Sequence, residues 1–124
     1  MWPPPPVSPG AATAVAAATS QLGVPYVAFA LEPGVAFDCS GLTAWAWKQA
    51  GVTLWHQSGM QYAQLPHVAV ADAQPGDLLF YHSPISHVTI YIGNGKMIHA
   101  PNPGSVVQVG TVNWNNVVGI ARPG

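Results

Sequence analysis

The stretch from residue 87 to residue 100 reads His87-Val88-Thr89-Ile90-Tyr91-Ile92-Gly93-Asn94-Gly95-Lys96-Met97-Ile98-His99-Ala100. Two runs rich in β-branched and aromatic residues flank a turn segment that contains two glycines and an asparagine. This pattern is typical of a β-hairpin. The hairpin is the strongest local signal in the chain, and its register decides which side chains share a face.

Two registers are possible for this hairpin, because the turn can contain two or three residues. A two-residue Asn94-Gly95 turn places His87 and His99 on opposite faces. A three-residue Gly93–Gly95 loop pairs Ile90 with Ile98 and gathers the aliphatic side chains on one face. Since strand faces segregate by polarity, we predict the three-residue loop, with Gly95 as a left-handed residue. His87 and His99 then become neighbours on the same face.

The rest of the chain predicts helices before this hairpin and strands around it. Ser8 and Pro9 resemble an N-cap and a first helical position, and Asp38 resembles a second N-cap. The predicted helices are Ala11–Gln21, Cys39–Ala50 and Ser58–Gln64, with short extended pieces or loop in Val24–Phe37. The predicted strands are Leu78–Tyr81, Val88–Ile92, Met97–Ala100, Val106–Val109 and Val117–Ile120. Helices followed by a run of strands indicate an α+β fold, with the N-terminal helices packed on a central antiparallel β-sheet.

Length and composition favour one small domain and exclude several classes of function. The chain has 124 residues, of which 49% are apolar and only 6% charged, with a net charge of −1. A nucleic-acid binder or a polybasic membrane-surface protein needs more cations than this. No apolar run approaches the roughly 20 residues of a membrane span, so we expect no membrane insertion. We divide the chain into a proline-rich segment (residues 1–10, with Pro3–Pro6) and one domain (residues 11–124).

Cys39 is the single cysteine, and it directly follows the predicted N-cap Asp38. Backbone N–H groups and the helix dipole favour a thiolate at such a position, so we expect a lowered pKa. With His87 as base and His99 as its orienting partner, Cys39 would complete the set that a cysteine protease needs. A lone cysteine is also commonly a small buried side chain. A zinc site is the third reading, but the set lacks short ligand pairs, and we expect no metal or cofactor.

Four sequence blocks together resemble the NlpC/P60 family. They are Phe37-Asp38-Cys39-Ser40-Gly41-Leu42, Gln74-Pro75-Gly76-Asp77-Leu78-Leu79-Phe80, the hairpin segment 87–95, and Ile98-His99-Ala100. They occur in the family's order and spacing, and the similarity extends from about Ala11 to Arg122. The resemblance implies a papain-like α+β fold and cleavage of peptidoglycan stem peptides, usually between γ-D-glutamate and diaminopimelate or lysine.

The resemblance also assigns roles to individual residues. Cys39 matches the family's nucleophile, His87 its general base and His99 its third polar residue. Tyr26 matches a tyrosine beside the oxyanion site. Asp38 and Ser40 match positions that contact the peptide backbone or amine of the substrate, although helix capping and first-turn hydrogen bonding are equally ordinary roles for them.

Two segments depart from the family pattern. Val27-Ala28-Phe29-Ala30 stands where an aromatic residue and paired glycines are common, and Trp55-His56-Gln57-Ser58 stands where a Pro-Arg-Thr-Ser type segment is common. Both segments would line the cleft, so the catalytic set is better supported than the substrate specificity. His56 and His67 have no partner in any motif, and we expect them to be surface or loop residues.

The leading hypothesis is therefore a cysteine peptidase that acts on peptidoglycan as a monomer, binding no nucleic acid. Its expected location is the bacterial cell wall, after secretion or as a phage-encoded enzyme. Two alternatives stay open: a non-catalytic peptidoglycan-binding or wall-attachment module, and an amidase or acyltransferase that uses the same thiol.

Overall fold

The computed structural model describes residues 8–124 and shows an α+β fold. The helices are α1 (Pro9–Ser20), α2 (Cys39–Lys48) and α3 (Ser58–Gln64), with 3-10 turns at Val70–Asp72 and Trp114–Asn116. The strands are β1 (Leu31–Glu32), β2 (Ala36–Phe37), β3 (Leu78–Tyr81), β4 (His87–Gly93), β5 (Lys96–His99), β6 (Gln108–Thr111) and β7 (Val117–Ala121). The polyproline prediction for Pro3–Pro6 lies outside the described residues, and the division into residues 1–10 and 11–124 stays a prediction.

The main sheet has five strands in the order β6-β5-β4-β3-β7, and all neighbours are antiparallel. Strands β1 and β2 form a separate two-stranded ribbon. Helices α1 and α2 pack on β4 at the centre of the sheet. The predicted fold class, N-terminal helices on a central antiparallel sheet, is confirmed.

The two faces of the sheet bury different side chains. The helical face contributes Val88, Ile90 and Ile98 to the main core, which also contains the fully buried Trp47 of α2. The opposite face carries a smaller cluster that includes Tyr91 and is partly covered by the segment after β6. Among residues 8–124, no helix is both long and apolar enough to cross a membrane.

The hairpin adopts the predicted register. Ile90 pairs with Ile98 and Tyr91 with Met97, and the pairing shifts by one residue before Gly93 and Lys96. The turn itself contains two residues, Asn94 and Gly95, with φ values of 55° and 72°, because Gly93 (φ 92°) still pairs with Lys96 and Ile92 is the extra residue of a β-bulge. The prediction of a three-residue loop is therefore wrong, although the segregation of polar and aliphatic side chains correctly predicts that Ile90 pairs with Ile98.

Several element boundaries differ from the sequence prediction by one or two residues, and two of the differences have a clear cause. Helix α1 begins at Pro9, because Ser8 accepts a hydrogen bond from Ala11 N and caps the helix there. Strand β6 begins at Gln108 rather than Val106. The preceding residues pair instead with the loop after α1: Val106 bridges Pro25, and Val107 exchanges hydrogen bonds with residues 23 and 24.

Gly76 joins the helical layer to the sheet, and its replacement by alanine is expected to destabilise the fold by about 3 kcal/mol. Its φ is +95°, and a Cβ there would lie 2.6 Å from Cβ of Ala11. Its N–H donates to Tyr91 O, and its carbonyl accepts from Trp47 Nε1. Left-handed strain and overpacking each cost on the order of 1–3 kcal/mol. Urea unfolding of Gly76→Ala measures the sum.

The matched control is Gly104→Ala. Gly104 also has a positive φ, +87°, but a Cβ there would meet no atom within 4 Å. It should therefore show the backbone strain alone, about 1 kcal/mol. Equal losses in the two variants would show that the contact between residue 76 and α1 has no energetic importance.

Candidate active site

Cys39 is the first residue of α2 and lies half-buried at the edge of the main core. The backbone N–H groups of Val88, Ser40 and Cys39 itself hydrogen-bond its sulfur and lower its pKa. Burial has a larger effect in the opposite direction and, with the negative charge of Asp38, raises the pKa of the thiol above its ordinary value. The expectation of a lowered pKa is therefore wrong, because desolvation outweighs the helix N-terminus. The resting residue is a neutral thiol at neutral pH.

His87 and His99 meet on one face of the sheet, as the register predicted. His87 begins β4 and His99 ends β5. Nε2 of His87 lies 3.3 Å from Nδ1 of His99, and the two rings meet edge to face. One of these nitrogens must donate and the other accept. If His87 carries its proton on Nε2, its Nδ1 is left free as a base, and His99 accepts at Nδ1.

Both histidines are held in the neutral form. Burial, followed by the neighbouring His99 and His82, lowers the pKa of His87 to about 4. Burial also lowers the pKa of His99. Desolvation and like charges both disfavour the imidazolium. His87 is therefore an unprotonated acceptor throughout the neutral pH range, as a general base must be.

The described structure records no hydrogen bond between the Cys39 thiol and the His87 ring, although it brings the two residues to one region. Val88, whose N–H donates to the sulfur of Cys39, directly follows His87 on β4. Catalytic hydrogen bonds are often long before substrate binds. The start of α2 is thus joined to β4 by the hydrogen bond from Val88 N–H to the Cys39 sulfur, at the residue next to the candidate base His87.

Tyr26 lies in the same region. Its N–H donates to Ser105 O, and a bridge to Phe37 holds the backbone beside the start of α2. Burial raises the pKa of Tyr26, and the negative charges of Cys39 and Asp38 raise it further. The hydroxyl is therefore a stable donor close to the sulfur. Ser40 is buried, and its carbonyl accepts from Thr43 Oγ1 and Gln61 Nε2.

Asp38 has more partners than its predicted capping role requires. Oδ1 accepts from Gly41 N at 2.7 Å, which confirms the N-cap, and Oδ2 accepts from Phe29 N at 3.1 Å. His56 Nε2 lies 2.7 Å from Oδ1. His56 is an exposed loop residue, as predicted, but its contact with Asp38 was not predicted. No sequence motif predicts this pair, although His56 lies in residues 55–58, one of the two segments that depart from the family pattern. His67 is exposed and hydrogen-bonds to Tyr62 O.

Two concavities lie near these elements, but Cys39 lines neither. One, of about 870 Å³, is bounded by residues 67–75, the end of β4 and Arg122. The other, of about 350 Å³, lies beside His56 and Trp55. In the part of the chain from Ser8 onward, no group of three His, Cys, Asp or Glu side chains is arranged to hold a metal ion.

Gly110 on β6 provides the space that the His99 ring occupies. A Cβ at Gly110 would lie 3.0 Å from Nε2 of His99 and 3.3 Å from Cε of Met97. We expect Gly110→Ala to displace the ring from His87 and to lower the kcat of the cysteine-dependent reaction predicted from the sequence about tenfold, because a displacement of about 1 Å in a reacting arrangement can cost up to about a hundredfold. Steady-state kinetics measures the loss.

Gly95→Ala is the matched control, since a Cβ at Gly95 meets nothing within 4 Å. It should retain kcat and lose only stability through its positive φ. Unchanged kcat in a folded Gly110→Ala variant would mean that the orientation of His99 does not limit the reaction.

The fold and this site together define a class of protein: α+β domains in which a helix begins with a cysteine and packs on an antiparallel sheet that carries a pair of histidines. Residues 23–119 match the NlpC/P60 family profile, and the chain belongs to that family. It is 47% identical to a protein of Mycobacterium tuberculosis named "Probable endopeptidase", over 96 residues that cover 77% of this chain and 24% of the relative.

Two solved structures have the same architecture. The peptidoglycan hydrolase RipB of Mycobacterium tuberculosis superposes with a TM-score of 0.81 and 35% identity, over 91% of this chain and 64% of RipB. The NlpC/p60 domain of the peptidoglycan hydrolase SagA gives a TM-score of 0.81 and 38% identity, over 90% of this chain and 97% of that domain. The chain spans a quarter or less of several curated relatives.

Proposed function

We propose that this domain is a cysteine endopeptidase that hydrolyses peptidoglycan stem peptides. The observation that carries the proposal is the hydrogen bond between His87 and His99 on the sheet face, one residue before the Val88 N–H that donates to Cys39. A half-buried neutral imidazole with an orienting partner, on the strand whose next residue contacts the lone thiol, supports the arrangement that thiol hydrolysis requires. The family and the peptidoglycan hydrolases among its structural neighbours support the substrate class.

The proposed reaction begins from a neutral thiol and a neutral imidazole. Nδ1 of His87 takes the thiol proton as the sulfur of Cys39 attacks the peptide carbonyl carbon, and His99 accepts the Nε2 hydrogen bond throughout. The resulting oxyanion would lie near the N–H groups at the start of α2 and the hydroxyl of Tyr26. His87 then gives the proton to the leaving amine. Water, deprotonated by the same ring, cleaves the thioester and releases the acid.

We propose the bond between γ-D-glutamate and diaminopimelate or lysine as the one cleaved. Asp38 and Ser40, which flank the nucleophile, would contact the peptide backbone or amine on the acyl side. The proposed place of action is the bacterial cell wall, reached by secretion or through a phage, with the domain acting as a monomer and without a cofactor.

The test is incubation of the protein with defined muropeptides that differ in their third residue and in their N-terminus, followed by mass spectrometry. Hydrolysis gives two fragments whose masses sum to the substrate plus one water, and the fragments identify the bond. Cleavage at the sugar-linked amide would indicate an amidase, and a fragment joined to an added amine would indicate an acyltransferase. Retention on cell walls with no fragments released would instead favour the binding module.

A further inference from the structure

His56 is the polar side chain at this site that the proposed mechanism does not use. It lies in the loop between α2 and α3, and 31% of its side chain is exposed. Its Nε2 approaches Oδ1 of Asp38 at 2.7 Å. Asp38 is itself only 9% exposed, so its carboxylate depends on protein donors more than on water.

Asp38 connects three segments of the chain. Oδ1 accepts from Gly41 N in the first turn of α2, and Oδ2 accepts from Phe29 N in the loop before β1. The Asp38 N–H donates to Ala30 O, which ties the same loop to the helix again. Phe29 has a φ of +65°, an uncommon conformation for a residue with a side chain, and its ring is 89% exposed. The hydrogen bonds to Asp38 therefore hold this loop in a strained form beside Cys39.

The side chains and backbone around Gly41, in the first turn of α2, are tightly packed. A Cβ built on Gly41 would lie 2.2 Å from Ala30 O, 2.8 Å from Asp38 Oδ1 and 3.0 Å from His56 Nε2. The loop carbonyl, the carboxylate and the imidazole thus converge on the first turn of α2, where only a glycine fits. His56 and the Asp38 carboxylate are in direct contact in this tightly packed region. A substitution at residue 56 therefore displaces the carboxylate.

We propose that His56 is a positioning residue, which holds the Asp38 carboxylate across the start of α2 and offsets its negative charge, and thereby sets the reactivity of Cys39. The inference rests on the proposed function only in taking Cys39 as the nucleophile. The charge of Asp38 opposes formation of the Cys39 thiolate. A donor on Oδ1 disperses that charge, so its removal disfavours the thiolate. Tyr26, from the loop after α1, also interacts electrostatically with Cys39, and the histidine pair lies on β4 and β5 beyond the Val88 N–H that contacts the sulfur.

The test uses iodoacetamide alkylation of Cys39, followed by mass spectrometry from pH 6 to pH 10. Cys39 is the only cysteine of the chain, so the modified site is unambiguous. His56→Leu removes the donor and is expected to slow alkylation at pH 8 at least threefold and to move its midpoint to higher pH. His56→Gln restores a neutral donor and should recover most of the rate. His56→Arg supplies a fixed positive charge and should alkylate faster than His56→Gln.

His67→Leu is the control, since His67 also makes one hydrogen bond but to Tyr62 O, away from Asp38. It should leave the alkylation profile unchanged. A folded His56→Leu protein with the wild-type profile would overturn the proposal. If that variant does not fold, equal rates in His56→Gln and His56→Arg would overturn it, because these two differ in charge beside Asp38.

Alkylation needs no substrate, which separates this inference from the proposed function. A profile that changes with residue 56 supports the coupling even if muropeptides are not cleaved. Conversely, muropeptide hydrolysis with an alkylation profile independent of residue 56 would leave the peptidase proposal intact and remove the role of His56.

Discussion

Replacing Cys39 by alanine is expected to abolish stem-peptide hydrolysis, with the rate falling by roughly four orders of magnitude or more. The reaction loses its only nucleophile, and substrate binding alone cannot replace covalent catalysis. Cys39 is half-buried and the new side chain is smaller, so the free energy of unfolding should change by only about 1 kcal/mol. Fragment release measured by mass spectrometry, together with urea unfolding, checks both parts.

Cys39→Ser is the companion variant, because it keeps the shape of the side chain and changes the acidity of its proton. It should be nearly as inactive as the alanine variant, since a hydroxyl is a far weaker acid than a thiol and His87, with a pKa of about 4, is a weaker base than a free imidazole. Stem-peptide cleavage at the wild-type rate by a folded Cys39→Ala protein would disprove the nucleophile assignment.

Replacing His87 by glutamine is expected to lower kcat/KM by about 10²–10⁴, the usual contribution of a positioned general base. Glutamine preserves polarity and approximate size but cannot accept the thiol proton. His82→Gln is the control on the same side of the sheet, since His82 is exposed and bonded to Ser86. If kcat/KM fell as far in the His82 variant as in the His87 variant, the decrease would reflect the electrostatic effect of a nearby imidazole and not the loss of a proton acceptor.

The same variant should alter the dependence of stability on pH. The pKa of His87 is about 4 in the folded protein, against an ordinary value of 6.5. Between these values the unfolded chain binds more protons, so stability is lost as the pH falls from about 6.5 to about 4. The difference corresponds to about 3 kcal/mol at most. Urea unfolding at pH 7 and at pH 4 should show a smaller decrease for His87→Gln than for the wild type, and an unchanged decrease would contradict buried neutral His87.

The sequence predicts those parts of the fold that depend on residues close together in the chain, because their chemistry permits only one local structure. The pairing of Ile90 with Ile98 follows from polarity alone, since it gathers the aliphatic side chains on the helical face, whereas the β-bulge that produces this pairing does not follow from polarity. The caps at Ser8 and Asp38 follow from side chains that satisfy free N–H groups at helix starts. The juxtaposition of two histidines required nothing more than that register.

The parts that the sequence does not predict depend on tertiary contacts. Strand β6 begins late because Val107 bonds with the loop after α1, which lies far away in sequence. The raised pKa of Cys39 reflects burial beneath other elements, whereas the sequence reveals only the helix start. The bond between His56 and Asp38 joins residues of two loops that no motif connects. In each case the deciding interaction forms only when the elements pack together, so the local sequence does not reveal it.

The separation of the proposed nucleophile and the proposed base between two layers has a consequence for folding. Cys39 is on α2, the histidines are on β4 and β5, and these elements meet only where the helical layer packs on the sheet. The contacts that assemble the proposed site are therefore contacts of high sequence separation, which form slowly and cooperatively. A partly folded chain with only its hairpin or only its helices does not bring Cys39 to the strand that begins with His87. We therefore expect the proposed hydrolysis to disappear in step with global unfolding, so that incompletely folded molecules would cleave no peptides.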